Sequence, residues 1–155
     1  MKKILYLTVL LSILLSGRAG AQLTDSPPAA VPKGNKAPPT NFTGDVWVYP
    51  IGSDSLAHWL IAKVTFAPGA HSNWHKHPWK QVVVATAGVG YLKIKGEPIR
   101  VLHKEDVVTI PAGIEHWHGA SPDSEFVQIV LNPDVAKGAT NWLTRVSDQE
   151  YKNGQ

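Results

Sequence analysis

Three imidazoles and a carboxamide crowd one short stretch of this chain: His71, His75, His77 and Gln81 follow Gly69 within twelve residues. About forty residues later, Pro111-Ala112-Gly113-Ile114-Glu115-His116-Trp117-His118-Gly119 adds two more imidazoles. Five of the seven histidines fall in these two pieces. Side chains two apart on a strand share a face, so His75 and His77 project together, as do His116 and His118. Paired neutral imidazoles bind a divalent cation through nitrogen at about 2.0–2.2 Å. A single His-x-His pair is commonplace on protein surfaces. A second pair behind a Pro-x-Gly turn makes one shared metal ion the expectation. The chain has no cysteine, which excludes disulfides and thiolate chemistry.

Such a site needs strands to hold it, and short strand-like runs occur at 46–51, 56–66, 81–86, 90–95, 99–102, 107–110 and 126–131. They are rich in Val, Ile and aromatic residues and are punctuated by Gly and Pro. Strands with a turn every eight to twelve residues or so indicate an all-β sandwich or barrel, here over residues 42–146. The apolar runs Val82-Val83-Val84 and Val107-Val108 would shield the ion from bulk water. Ser147 followed by Glu150 forms a capping-box pattern, so a short C-terminal helix is expected within residues 147–155. Gln81 shares the parity of His75 and His77 if the Pro78 turn preserves register.

The N-terminal segment reads differently. Lys2 and Lys3, an apolar run over 4–15 and Ala19-Gly20-Ala21 make the pattern of a secretory leader over residues 1–21. The apolar run is shorter than the roughly 20 residues of a spanning helix. The expectation is therefore an exported protein, periplasmic or extracellular, with no stable membrane anchor. Five prolines within residues 23–40 mark 22–41 as a flexible tether. The whole chain carries a net charge of +3, but Lys2, Lys3 and Arg18 leave with the leader. The remainder is formally neutral, which gives no reason to expect nucleic acid or an anionic membrane as partner.

These residues resemble the cupin superfamily. Gly69, His75, His77, Gln81 and Gly88 stand at the spacing of the first cupin motif, with Gln81 where most cupins carry Glu. Pro111, Gly113 and His116 match the second, while Glu105 and Ala120 replace its leading glycine and final asparagine. The resemblance implies a cupin barrel, a double-stranded β-helix or jelly roll. The strings Phe-Ala-Pro-Gly-Ala, Trp-His-Lys-His-Pro and His-Trp-His-Gly-Ala are similar to those of a small bacterial subgroup. It includes the cupins associated with carboxymuconolactone decarboxylases and the manganese-dependent (R)-hydroxynitrile lyases. By that match His75, His77, Gln81 and His116 are the metal ligands. Manganese is the first expectation, and iron(II), nickel, cobalt or zinc would also suit. The lyases place an active-site histidine on the strand after His-Trp-His-Gly-Ala, where this chain has Gln128. Gln cannot serve as a general base near pH 7.

The ligand set itself carries a consequence. Three imidazoles and an amide leave the +2 charge of a divalent ion uncompensated, making it a stronger Lewis acid than a carboxylate-ligated ion. It should favour anionic or enolisable small organic molecules. His118 is the candidate acid/base beside the ion, and Gln128 the candidate substrate contact. His71 is expected at the surface, and His58 and His103 as structural or exposed. Trp74, Trp79 and Trp117 are expected in the core, with Trp79 also a candidate for the cavity mouth. Pocket size would depend on which of Trp59, Trp79, Trp117 and Phe126 point inward. A metal-dependent lyase or decarboxylase-like enzyme leads, with a dioxygenase and a non-catalytic binding or sensing module as alternatives. The family resemblance implies a homodimer, with residues 42–49 as candidate swapped or interface strands.

Overall fold

A computed structural model describes residues 30–152. The expected leader, residues 1–21, and the first part of the tether lie outside the described residues. The strands, in order, are β1 (Asn35–Lys36), β2 (Phe42–Thr43), β3 (Val46–Asp54), β4 (Trp59–Phe66), β5 (His71–Ser72), β6 (His75–Lys76) and β7 (Gln81–Gly88). They continue with β8 (Gly90–Ile94), β9 (Arg100–Leu102), β10 (Val107–Ile110), β11 (His116–Ala120), β12 (Phe126–Asn132) and β13 (Asn141–Trp142). A short helix, α1 (Asp148–Lys152), ends the described chain.

Two antiparallel sheets form the barrel. One has the order β1-β3-β4-β12-β7-β10, and the other runs β13-β6-β11-β5-β2, with β8 along the free side of β11 and β9 beyond it. The alternation of apolar and polar residues explains the first sheet: every second residue of β12, from Phe126 to Asn132, is buried, and so are Gln81, Val83 and Ala85 of β7. Val46, Val64, Phe66, Val83 and Phe126 of this sheet pack against Leu92, Leu102 and Ala120 of the other. Burying a side chain the size of Phe66 or Phe126 contributes about 1.5–3 kcal/mol. This is the all-β barrel with a C-terminal helix that the pattern predicts, in the jelly-roll form that the family resemblance implies.

The second sheet is covered on both faces. Trp74, Tyr91, Trp117 and Val146 form a separate core on its outer side, closed by Leu143 and Tyr151. Every residue of β11 is consequently buried: His116 and His118 face the barrel interior while Trp117 faces the outer core. Close approach of β5 and β11 demands Gly119, because a Cβ there would collide with the Ala70 carbonyl and with His71. Helix α1 carries the expected capping box. The Ser147 amide donates to Glu150 Oε2 at 2.8 Å and the Glu150 amide donates to Ser147 Oγ at 3.2 Å. Tyr151 Oη donates to the Ala120 carbonyl at 2.7 Å, fixing the helix against β11.

Several details differ from expectation. Lys36 and Asn35, within the expected tether, pair with Trp47 and Val48 as β1. Strand β4 begins at Trp59 because the Asp54 carboxylate accepts the amides of Leu56 and Ala57, closing a turn before it. His71 is buried rather than at the surface: its ring stacks on Tyr151 with centroids 4.6 Å apart, in the outer core. His58 and His103 are exposed, within the expectation for them.

Candidate metal centre

Pairing in the second sheet brings the two histidine motifs together. β6 and β11 are antiparallel, with His75 directly opposite His116, and their rings lie 4.2 Å apart. The turns of the two motifs are tied as well, since the Gly113 amide donates to the His77 carbonyl at 2.7 Å. Strand β6 ends at Lys76, so His77 sits just past it, its ring 5.1 Å from His75 and 5.4 Å from His116. His118 is 5.2 Å from His75 by the same measure. The nitrogens of His75, His116 and His118 come within 4.8 Å of one another, close enough to share a metal ion. Gln81 reaches the group from the other sheet. The chain bends at Pro78 and crosses over, so parity along one strand is not what unites Gln81 with His77. Gln81 Nε2 lies 3.2 Å from His77 Nε2.

Hydrogen bonds at Nδ1 sort these rings into two kinds. His75 Nδ1 donates to the Asn73 carbonyl and His116 Nδ1 donates to the Ile114 carbonyl, each at 2.9 Å. A carbonyl accepts only, so the proton is on Nδ1 and the Nε2 lone pair is left for a cation. His77 Nδ1 pairs with Thr140 Oγ1 at 3.1 Å, which is compatible with the same tautomer. His118 differs, because its Nδ1 faces the amide nitrogen of Gln128. An amide N–H donates, so in this arrangement the His118 proton sits on Nε2.

Two of the buried atoms left without partners among the described residues fit a cation. His116 Nε2 and Gln81 Oε1 are both buried and both lack a hydrogen bond. Leaving such atoms unpaired costs about 1–3 kcal/mol each, a cost that ligation would remove. Burial also keeps the rings neutral, as ligation requires. It holds the His75 pKa well below the usual imidazole value, with the neighbouring His116 and His118 acting in the same direction. His77 is lowered to about 4 by burial and by His116, and His116 is lowered by its own burial. His118 falls to about 3, mainly through burial.

His75, His77, Gln81 and His118 line a cavity of about 190 Å³ inside the barrel. The rest of its wall is largely apolar and includes Leu60, Val64, Phe66, Val130 and Trp142. None of Trp59, Trp79, Trp117 and Phe126 lines it. Trp79 is buried and stacks on His77 with centroids 5.1 Å apart, and Trp142 takes the cavity position, 4.9 Å from His75. Gln128 is fully buried behind His118. The sequence reading missed Asn132, Thr140 and Trp142. Asn132 had a signal, since it shares the parity of Gln128 on β12, but nothing marks Thr140 or Trp142 before the fold is known.

Residues 62–131 match the cupin domain model. Over 118 residues the chain is 35% identical to an (R)-mandelonitrile lyase from Granulicella tundricola, covering 76% of this chain and 90% of that protein. The chain is a cupin. Among solved structures, this cupin is similar to a cupin-like protein from Thermotoga maritima, with TM-score 0.78 and 39% identity over 79% of this chain and 94% of the other. It also shares its fold with a DMSP lyase from Ruegeria pomeroyi, with TM-score 0.57 and 20% identity over 70% of this chain and 54% of that one.

Proposed function

We propose that this cupin is a metal-dependent lyase that breaks a bond beside a hydroxyl-bearing carbon in a small organic substrate. A cyanohydrin is the first candidate, since the relative from Granulicella tundricola is an (R)-mandelonitrile lyase. The observation that carries the reading is the packing of the His77, His116 and His118 rings around His75, with His116 Nε2 and Gln81 Oε1 buried and unpartnered and with His75, His77, Gln81 and His118 lining a largely apolar cavity. His75, His77, Gln81 and His116 would hold the ion, with manganese the assigned metal on the strength of the family resemblance. When bound, the ion supplies Lewis-acid stabilisation of negative charge on the substrate oxygen. The apolar wall would receive the aryl or alkyl body and exclude water.

His118 handles the proton. To accept one from the substrate hydroxyl at Nε2, it must carry its own proton on Nδ1. Gln128 Oε1, which has no hydrogen-bond partner, is the acceptor for that tautomer once the amide turns end for end. The hydroxyl proton then passes to His118 Nε2, the carbon–carbon bond breaks with its electron pair leaving on cyanide, and a carbonyl forms. His118 returns the proton to cyanide, releasing hydrogen cyanide. Gln128 thereby takes the place of an ionisable residue, orienting the proton carrier without exchanging protons itself. The leader-like N-terminal pattern supports export, and the family resemblance supports a homodimer.

The test is cleavage of mandelonitrile by protein of measured metal content, followed by benzaldehyde absorbance. Manganese-loaded protein should turn over and chelator-stripped protein should not. Equal rates with and without metal would reject the reading. Oxygen uptake with an enediol or catechol, in the absence of cyanohydrin cleavage, would replace it with a dioxygenase.

A further inference from the structure

Gln81 poses a problem that a glutamate in its place would not. Both oxygens of a carboxylate can face a cation, but a carboxamide has one oxygen and one NH₂, and only the oxygen can ligate. The terminal torsion of Gln is broad and roughly two-fold, so nothing in the residue itself selects the productive end. We infer that Asn132 makes this selection, acting as a positioning residue that holds the Gln81 oxygen toward the ion. The inference rests on the metal-site reading above.

The geometry is local and buried. Strands β12 and β7 pair with Leu131 opposite Val82, so the next step along each strand sets Asn132 beside Gln81. Gln81 Nε2 donates to Asn132 Oδ1 at 2.9 Å, and both side chains are more than nine-tenths buried. A carbonyl oxygen accepts only from the NH₂ end, so this bond fixes which end of Gln81 faces Asn132; the same NH₂ lies 3.2 Å from His77 Nε2, a contact that ligation by His77 would replace. The other end, Oε1, is the buried atom left without a partner, and Gln81 also lines the histidine cavity. Turning the Gln81 amide alone would set Oε1 against Asn132 Oδ1, two acceptors at hydrogen-bond distance. Asn132 itself belongs to the cavity wall, its backbone held in β12 rather than in a loop.

Titration of the full chain with manganese(II), counting free ion by electron paramagnetic resonance, tests this without reference to turnover. Asn132→Leu keeps the volume but removes the acceptor, and should weaken binding by about 10- to 100-fold, the usual effect of losing a group that orients a ligand. Asn132→Asp retains an acceptor and should bind at least as tightly as the natural protein. In a Gln81→Leu background, Asn132→Leu should add nothing, because there is no amide left to orient. Melting of the metal-free variants separates this from a folding defect, and Asn132→Ala serves should the leucine variant not fold. Unchanged affinity in the leucine or alanine variant, or full additivity with Gln81→Leu, overturns the role of Asn132. If the natural protein takes up neither manganese nor zinc, the metal reading itself fails and this inference with it. If Gln81→Leu weakens binding and Asn132→Leu does not, only the inference about Asn132 falls.

Discussion

Acidification of the metal-free protein probes the buried histidines directly. His118 has a folded-state pKa of about 3, against the ordinary imidazole value of 6.5 that the unfolded chain recovers. Between these two values the unfolded state binds more protons than the folded one, so stability must fall as pH falls. From pH 7 to pH 5 the imidazole of the unfolded chain becomes almost wholly protonated while His118 in the fold stays neutral. That difference amounts to a loss of about 2 kcal/mol from His118 alone. His75, His77 and His116 are shifted in the same direction, so the total loss should exceed this figure. Urea denaturation of chelator-treated protein at pH 7, 6 and 5 measures it. His118→Gln, which removes one of these groups, should flatten the pH dependence by about 2 kcal/mol over the same range. Stability that is unchanged between pH 7 and 5 would mean that these rings accept protons freely in the fold. The account of a desolvated, neutral ligand set would then be wrong.

Other perturbations separate chemistry from architecture. His118→Ala should lower mandelonitrile turnover by about 10²–10⁴-fold while metal content, read by elemental analysis, stays at the natural level. Phe66 is fully buried, with ring centroids 5.8 Å from His118 and 6.3 Å from Phe126, so Phe66→Ala should cost about 3–5 kcal/mol in chemical denaturation. Tyr151→Phe removes the bond to the Ala120 carbonyl and should cost about 1 kcal/mol, visible as a lower melting temperature with turnover little changed. At a concentration 100 times its dissociation constant, manganese should stabilise the folded protein by about 2.7 kcal/mol, an effect that chelator reverses in differential scanning calorimetry.

Much of this was legible in the chain because the relevant signals are local. Period-two alternation marks β7 and β12, Ser147 and Glu150 announce the cap of α1, and two His-x-His pairs identify the strands that face the cavity. What escaped the sequence depends on pairing between distant segments. His71 is polar and follows a glycine turn, which suggests exposure, yet Tyr151 arrives eighty residues later to cover it. Strands β1, β5, β6 and β13 have two residues each, too few for any periodicity to register. Trp79 and Trp142 are chemically alike, and only the course of the chain after β12 decides which of them lines the cavity. The tautomers of His75 and His116 depend on carbonyls of Asn73 and Ile114, backbone groups whose aim no residue type reveals.

The two sheets divide the cavity unequally, and that division bears on how such a protein can diversify. All four rings come from β6, the turn after it and β11, whose Trp117 is committed to the outer core. Most of the opposing wall comes from β4 and β12, where Leu60, Val64, Phe66 and Val130 contribute volume and no reactive atom. Lineages descended from such a scaffold are thus free to explore new substrates by exchanging these apolar side chains on one sheet, while the histidines on the other, and Gln81 on β7, are inherited intact. Laboratory evolution would do well to begin with the same four positions.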